Sequence, residues 1–392
     1  MLGWAPNGLQ RTVAASNSLH RTVSAWDSTG ESKRAGSSTQ TVQNKDYPIG
    51  YIPTIDGIRG VLPFGVLAAH IQYSWFPGAI VFMNIFFILS AYLITALLIK
   101  DIKKYGKIRF KIFYIRRILR LFPAYYVMLF FFFLAVTILL QNPQLYYKDI
   151  LFSGCYISNW IRAFSIETPD WLGHTWSLSI EEQYYICWPL LLYLLTSVFG
   201  KGQRLILILI LLYASFTLWR YYLAYTGSPI VRLYNGTDVR ADTLLVGCII
   251  AILHENFHHG LRFIIKISHI LFFPLCVLIF IILGFSLSWQ NRYVYTWGTT
   301  LIDISVGLFL IGLITKSGTI IHRIFESKVL IFLGKISYAT YLWHYPIFKF
   351  IRHYHGNDLS VIIYGVPVTY FCAWLSSMLI EKPCIKLKRK FV

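Results

Sequence analysis

The sequence predicts an all-α integral membrane protein, a polytopic bundle of about ten transmembrane helices with N- and C-termini cytoplasmic, and three observations carry that expectation. Of 392 residues, 56% are apolar and 14% charged, against about 25% charged in soluble domains, so lipid is the solvent for most of the chain. The apolar residues gather into runs of about 17 to 25, the length that crosses a hydrocarbon core of about 30 Å. Ten such runs fall near residues 57–75, 78–99, 121–140, 180–199, 204–225, 241–254, 267–287, 297–315, 329–350 and 359–380, the sixth being the shortest. If the first run leads outward, 27 of the 36 Lys and Arg lie on the inner side, eight lie on or near outer connections, and Arg59 sits within the first run. A span count wrong by one would invert every later connection, so this positive-inside asymmetry supports both the count and the cytoplasmic ends.

The same placement explains the net charge of +19 without nucleic acid as a partner. Residues 1–45 form a different compositional class, rich in Ser, Thr, Gly, Asn and Gln, and read as a disordered polar tail. A ten-residue near-repeat within it, beginning at Asn7 and Asn17, is too short to stack as a solenoid. Residues 46–392 read as one membrane domain. The six cysteines show neither a C-x-x-C pair nor a Cys/His spacing that holds a metal.

An ionisable side chain at mid-membrane costs about 2.5–3.5 kcal/mol even on the lenient insertion scale, so each one is a candidate functional residue. The first span supplies Arg59 and His70, eleven residues apart. At about 100° per residue they share a face while standing roughly 16 Å apart along the axis. Arg59 is therefore too distant to orient the His70 ring, and Asp56 one turn earlier offers it a local ion pair. The outer end of the fourth span carries Ser177, Ser179, Glu181 and Glu182, and that of the sixth carries Arg240 and Asp242. In the ninth span Ser337, Tyr341 and His344 sit at i, i+4 and i+7, and Pro346 frees backbone carbonyls beside them. Polar groups from four spans thus reach a similar depth, which points to a shared site.

Two connections stand out. The inner segment from Lys100 to Arg120 is dense in cations, with Arg116, Arg117 and Arg120 at helical spacing before Pro123 opens the third span. Forked guanidinium donors suit phosphate; ordinary inner-side anchoring or lipid headgroup contact is the alternative. The outer segment from Gln141 to Trp176 carries Trp160, Trp171, Trp176, Asp149, Glu167, Asp170 and His174. Aromatic faces beside carboxylates suit sugar rings, and an aromatic belt at the membrane surface accounts for them equally well.

These residues resemble the acyltransferase 3 family of membrane acyltransferases. The resemblance is carried by Asp56-Gly-Ile-Arg-Gly60 running to His70, an Arg-x(10)-His pattern, and by Phe86 to Ile94, Arg117-Ile-Leu-Arg120 with Pro123, and Thr175 to Tyr185 with Trp188-Pro189. It continues through Arg240-Ala-Asp-Thr-Leu-Leu-Val-Gly247, Ser337 to Pro346, and Glu381-Lys-Pro383, covering roughly residues 50 to 385 in order. Ala91 departs from the Gly usual in the family, and the N-terminal tail has no counterpart. The resemblance implies an inner-membrane bacterial enzyme that transfers an acyl group, above all acetyl, from cytoplasmic acetyl-CoA to a hydroxyl. The implied acceptor is a surface glycan such as lipopolysaccharide O-antigen, capsule or exopolysaccharide, or a lipid-linked glycan. Acetyl-CoA is then a donor substrate, with no permanently bound cofactor and no metal. Some relatives carry a further esterase-like domain; nothing in this sequence after Glu381-Lys-Pro383 corresponds to it, which leaves the transfer to the membrane domain or to another protein.

On this reading Arg116, Arg117 and Arg120 hold the CoA phosphates and the pantetheine arm enters past Arg59. His70 is the base, with a pKa suited to neutral pH. Glu182 or Glu181 orients it, and Ser179, Arg240, Asp242, Tyr341 and His344 bind the acceptor or its oxyanion. Direct transfer and a transient acyl-His70 both remain open. The rival readings are a polytopic transporter or flippase, for which no matching pair of broken half-helices is seen, and a glycosyltransferase using a lipid-linked sugar. The topology is directly testable. Reporter fusions after Lys104 and after Lys388 are expected to read cytoplasmic and one near Ser165 external; a cytoplasmic reading at Ser165 would overturn the span assignment.

Overall fold

The computed structural model describes residues 52–72, 76–256, 262–316 and 318–388. The expected tail, residues 1–45, lies outside them. Among the described residues each apolar run has a helix for most of its length: α1 (Pro53–Ile71), α2 (Ala79–Tyr105), α3 (Phe110–Leu139), α4 (Thr175–Phe199), α5 (Gln203–Tyr225), α6 (Thr237–Asn256), α7 (Arg262–Ser286), α8 (Trp297–Thr315), α9 (Lys328–His355) and α10 (Asp358–Leu387). No strand occurs among the described residues. Six of these helices, α2, α3, α5, α7, α8 and α10, are long and apolar enough to cross a membrane. The four that fall short, α1, α4, α6 and α9, hold the polar residues singled out above other than the arginines of α3. Packing explains why their polarity is tolerated: α1 packs most extensively on α9, and α2 on α6. The apolar window of α2 is 78% buried within the protein, whereas that of α5 is 17% buried, so α2 is central and α5 turns most of its surface outward.

Two boundaries differ from expectation. The inner segment from Lys100 to Arg120 is mostly helix, because α2 runs on to Tyr105 and α3 begins at Phe110. Pro123 accordingly lies inside α3 rather than opening it. Long Lys and Arg stems let a helix continue past the apolar boundary while the charges reach water, and hydropathy alone marks only where the apolar run stops. The outer segment folds into short helices, Tyr147–Gly154 and Ser158–Ala163, before α4 begins at Thr175.

The α1–α9 contact is made backbone to backbone. A Cβ on Gly60 would stand 2.3 Å from the Leu330 carbonyl oxygen, and one on Gly334 would stand 1.8 Å from that of Asp56. Small residues permit such approach between membrane helices, where van der Waals packing drives association. Ala91, the departure from the family pattern, is fully buried facing Gly247 of α6. Gly334→Val is therefore expected to force α1 and α9 apart, destabilising the protein by at least about 1–3 kcal/mol. Gly202→Ala, with nothing within 4 Å of its Cβ, serves as the control. Thermal melts of the two purified variants check this, and a Gly334→Val melt matching wild type would refute the close contact.

Candidate active site

The close approach of α1 and α9 brings His70, near the end of α1, against His344 of α9: His70 Nδ1 and His344 Nε2 are 2.9 Å apart, and the rings stack with centroids 5.1 Å apart. A carbonyl fixes the tautomers. His344 Nδ1 is 2.7 Å from the Tyr341 carbonyl oxygen, which only accepts, so this nitrogen carries hydrogen. In the neutral imidazole Nε2 then accepts, His70 Nδ1–H is the donor, and His70 Nε2 keeps its lone pair. A third histidine joins them. Pro346 has no N–H, so the Leu342 carbonyl lacks its helical partner, and His174 Nε2–H donates to it at 3.2 Å. The buried His174 ring meets His344 edge to face at 5.3 Å.

Above the pair, the Tyr345 ring packs edge-on to His70 at 4.9 Å, and its hydroxyl donates to Asp170 at 3.2 Å. Below it runs a narrow cleft lined by Arg59, Leu62, Pro63 and Val66 of α1, Phe82, Met83 and Phe86 of α2, and Ser337 and Tyr341 of α9. The α1 lining follows i, i+3, i+4 and i+7, and His70 continues that stripe at i+11. On α9, His344 likewise extends the stripe of Ser337 and Tyr341. The cleft is apolar along its walls, with a guanidinium at one end and the histidine pair beyond the other.

The Arg59 end of the cleft is a charged cluster. Arg59 lies 3.7 Å from Asp56, the local pair expected from spacing, and has Arg120 and Glu181 as further electrostatic neighbours. Arg117 lies 5.1 Å from the ring centroid of Tyr185 and faces Glu182 and Glu181. Arg120 faces Glu381. Arg116 departs from this group and keeps company with Arg109 and Asp101, themselves paired at 2.8 Å. Glu181 and Glu182 thus stand among arginines, and no carboxylate bonds the His70 ring among the described residues. His344 occupies the position expected for an orienting carboxylate.

The remaining candidates separate. Tyr341 donates to the His174 carbonyl at 2.8 Å and lies 2.7 Å from Ser177 Oγ, so α4 is tied to α9 beside the histidines. Ser179 turns away and bonds Ser158 at 2.9 Å. Asp242 points opposite to Arg240, as i and i+2 must on a helix, and pairs with Arg220 at 2.8 Å where both are fully buried. Arg240 is also fully buried, within 5.8 Å of the ring centroids of Trp176, Tyr234 and Tyr295. In the outer segment, Trp160 stacks on Phe164 with centroids 5.8 Å apart, and Trp171 packs against Phe350 at 4.9 Å.

Sequence reasoning did not find Arg220 or Arg352. Arg352 of α9 donates to the His70 carbonyl at 2.8 Å and to that of Ile71, and pairs with Asp358 at 2.9 Å. It therefore holds the last carbonyls of α1, a favourable place for a cation. These α1 carbonyls lie some 280 residues away, and no local pattern announces such a pairing. His174 was noted only as part of the aromatic outer segment; Pro346 was the signal that a donor had to approach Leu342.

The described residues form no strand, and they set a histidine pair beyond one end of an apolar cleft and arginines at its other end. The chain belongs to the acyltransferase 3 family, whose model, described as an acyltransferase domain, matches residues 52–379. It is 33% identical over 358 residues to a protein of Staphylococcus aureus strain COL provisionally named an O-acetyltransferase, covering 85% of this chain and 57% of that one. It is 32% identical to the peptidoglycan O-acetyltransferase OatA of Listeria monocytogenes, over 87% of this chain and 57% of the relative. It is 31% identical to the O-acetyltransferase OatA of Staphylococcus aureus strain NCTC 8325, over 87% and 58% respectively. The chain thus spans a little under three fifths of the length of these relatives. No solved structure matches it.

Proposed function

We propose that this protein is a membrane-embedded O-acetyltransferase that moves an acetyl group from cytoplasmic acetyl-CoA to a hydroxyl of a bacterial surface glycan. The observation that carries the proposal is the single stripe on α1 that leads from Arg59, along an apolar cleft, to a histidine whose Nε2 is left basic by its neighbour's tautomer. In this reading all ten long helices span the cytoplasmic membrane with both ends inside, and residues 1–45 are a tail outside the catalytic domain. The naming of one relative for peptidoglycan favours a cell-wall glycan over lipopolysaccharide as acceptor.

Arg117 and Arg120 hold the CoA phosphates at the inner face, with Arg116 at the rim, and Glu181 and Glu182 set the positions of the guanidiniums. The pantetheine arm passes Arg59 between Leu62, Pro63, Phe82 and Met83 to bring the thioester to His70. His70 Nε2 takes the acceptor hydroxyl proton as its oxygen attacks the carbonyl. The C–O bond forms, the C–S bond breaks, and the imidazolium returns the proton to the departing CoA thiolate. His344 receives the His70 Nδ1–H bond throughout and so stabilises the imidazolium, a task usually given to a carboxylate. The acceptor approaches from the outer side, past Tyr345 and Arg240.

Two variants test the assignments in purified protein with radiolabelled acetyl-CoA, scored as alkali-labile ester. His70→Ala is expected to insert normally and to lose about 10² to 10⁴ in rate; activity within a few-fold of wild type would remove His70 as the base. Arg117→Lys with Arg120→Lys keeps charge but loses the forked geometry. It is expected to raise KM for acetyl-CoA with little change for the acceptor, and an unchanged donor KM would return these arginines to topological anchoring.

A further inference from the structure

Arg240 is a fully buried cation without a bonded carboxylate among the described residues. Its Nε donates to the Tyr234 carbonyl at 2.9 Å and its Nη1 to Asn84 Oδ1 at 3.3 Å, while Nη2 has no partner. Asn84 of α2, fully buried as well, has an Nδ2 that is also without a partner. Two unpartnered N–H donors on two bonded side chains, one of them charged, are an unfinished arrangement: a buried donor left unmade costs the desolvation it has suffered, and more for a charged group. Asp242 spends its charge on Arg220, and Asp303 is an electrostatic neighbour without a bond to Arg240. The walls are aromatic: Trp176, Tyr234 and Tyr295 surround the guanidinium, and Phe87 closes on Trp176.

These residues neighbour the candidate active site along two helices. Asn84 follows Met83, which lines the cleft. Trp176, 4.5 Å from Tyr234 between ring centroids, precedes Ser177, which contacts Tyr341 one turn before His344. We infer that Arg240 and Asn84 form a subsite for an anionic oxygen of the acceptor, a carboxylate or phosphate group carried near the hydroxyl that is acetylated. A guanidinium beside a carboxamide supplies parallel N–H donors to such an oxygen pair, and aromatic walls accommodate the adjoining sugar ring. The acceptor is thereby an acidic glycan or a glycan phosphate rather than a neutral one. This inference rests on the proposed acyl transfer for its purpose but not for its measurement.

The test uses the full chain in nanodiscs with three probes of one disaccharide: a glucuronate form, its carboxamide, and a phosphomonoester. Binding is read as the shift in melting temperature with probe concentration, and transfer as KM and kcat for acetylation. Wild type is expected to prefer at least one anionic probe over the carboxamide by about ten- to a hundredfold, the range for hydrogen bonds to a charged group. The glucuronate and phosphate arms tell which anion the site takes. Arg240→Gln is expected to bring the ratio of charged to neutral probe close to one. Asn84→Asp keeps shape while placing a carboxylate beside Arg240, which fills the subsite internally, so it is expected to abolish the preference in a protein that still folds. An equal affinity of wild type for all three probes, or a preference that survives in Asn84→Asp, overturns the subsite. Stabilisation by an anionic probe without ester formation keeps the subsite and discards the acyl-transfer reading; equal ester formation from charged and neutral probes does the reverse.

Discussion

At Gly60 and Gly334 the backbones of α1 and α9 meet with no side chain between them, and the geometry of the candidate site depends on that approach. A methyl group at either position would push the helices apart by more than the slack in a hydrogen bond. The His70–His344 contact is 2.9 Å, so separation by even 1 Å breaks it. The tautomer chain from the Tyr341 carbonyl to His70 Nε2 therefore exists only while the glycine contact holds. Arg352 strengthens the arrangement from above by binding the His70 and Ile71 carbonyls.

Polar groups in a membrane must find partners within the protein, and Arg220 and Pro346 show two ways in which that demand is met. Arg220 donates to Asp242, to the Tyr295 and Thr296 carbonyls and to Thr300, a full set that fastens α5, α6 and α8 together. Pro346 opens the Leu342 carbonyl and His174 closes it. Arg240 Nη2, Asn84 Nδ2 and His174 Nδ1, by contrast, have no partner among the described residues.

Much of this was legible in the sequence because helical periodicity fixes which residues share a face. Arg59 and His70 could be placed on one stripe, and Ser337, Tyr341 and His344 on another, from spacing alone. Periodicity does not fix how two helices are rotated against each other. For that reason Glu181 and Glu182, at the right depth by counting, were expected beside His70 and instead face Arg59 and Arg117. Arg240 and Asp242 were grouped by motif spacing, although the periodicity of their shared helix sends them to opposite faces. Neither the Arg352 bond to the α1 carbonyls nor the Asn84 bond to Arg240 gave a local signal, since each joins residues more than 150 apart. Pro123 misled for a simpler reason: an intramembrane proline is tolerated inside α3, and the basic turns before it remain helical.

The central claim is that one cleft between α1, α2 and α9 conducts an acyl donor from the inner arginines to His70. A cryo-electron microscopy map of the nanodisc-embedded protein with a non-hydrolysable thioether analogue of acetyl-CoA tests it most directly. The account predicts phosphate density against Arg117 and Arg120, the pantetheine arm between Arg59 and Tyr341, and the acetyl-bearing end beside His70 Nε2. An arm running elsewhere, or occupying this cleft with its reactive end turned away from the histidine pair, would contradict it.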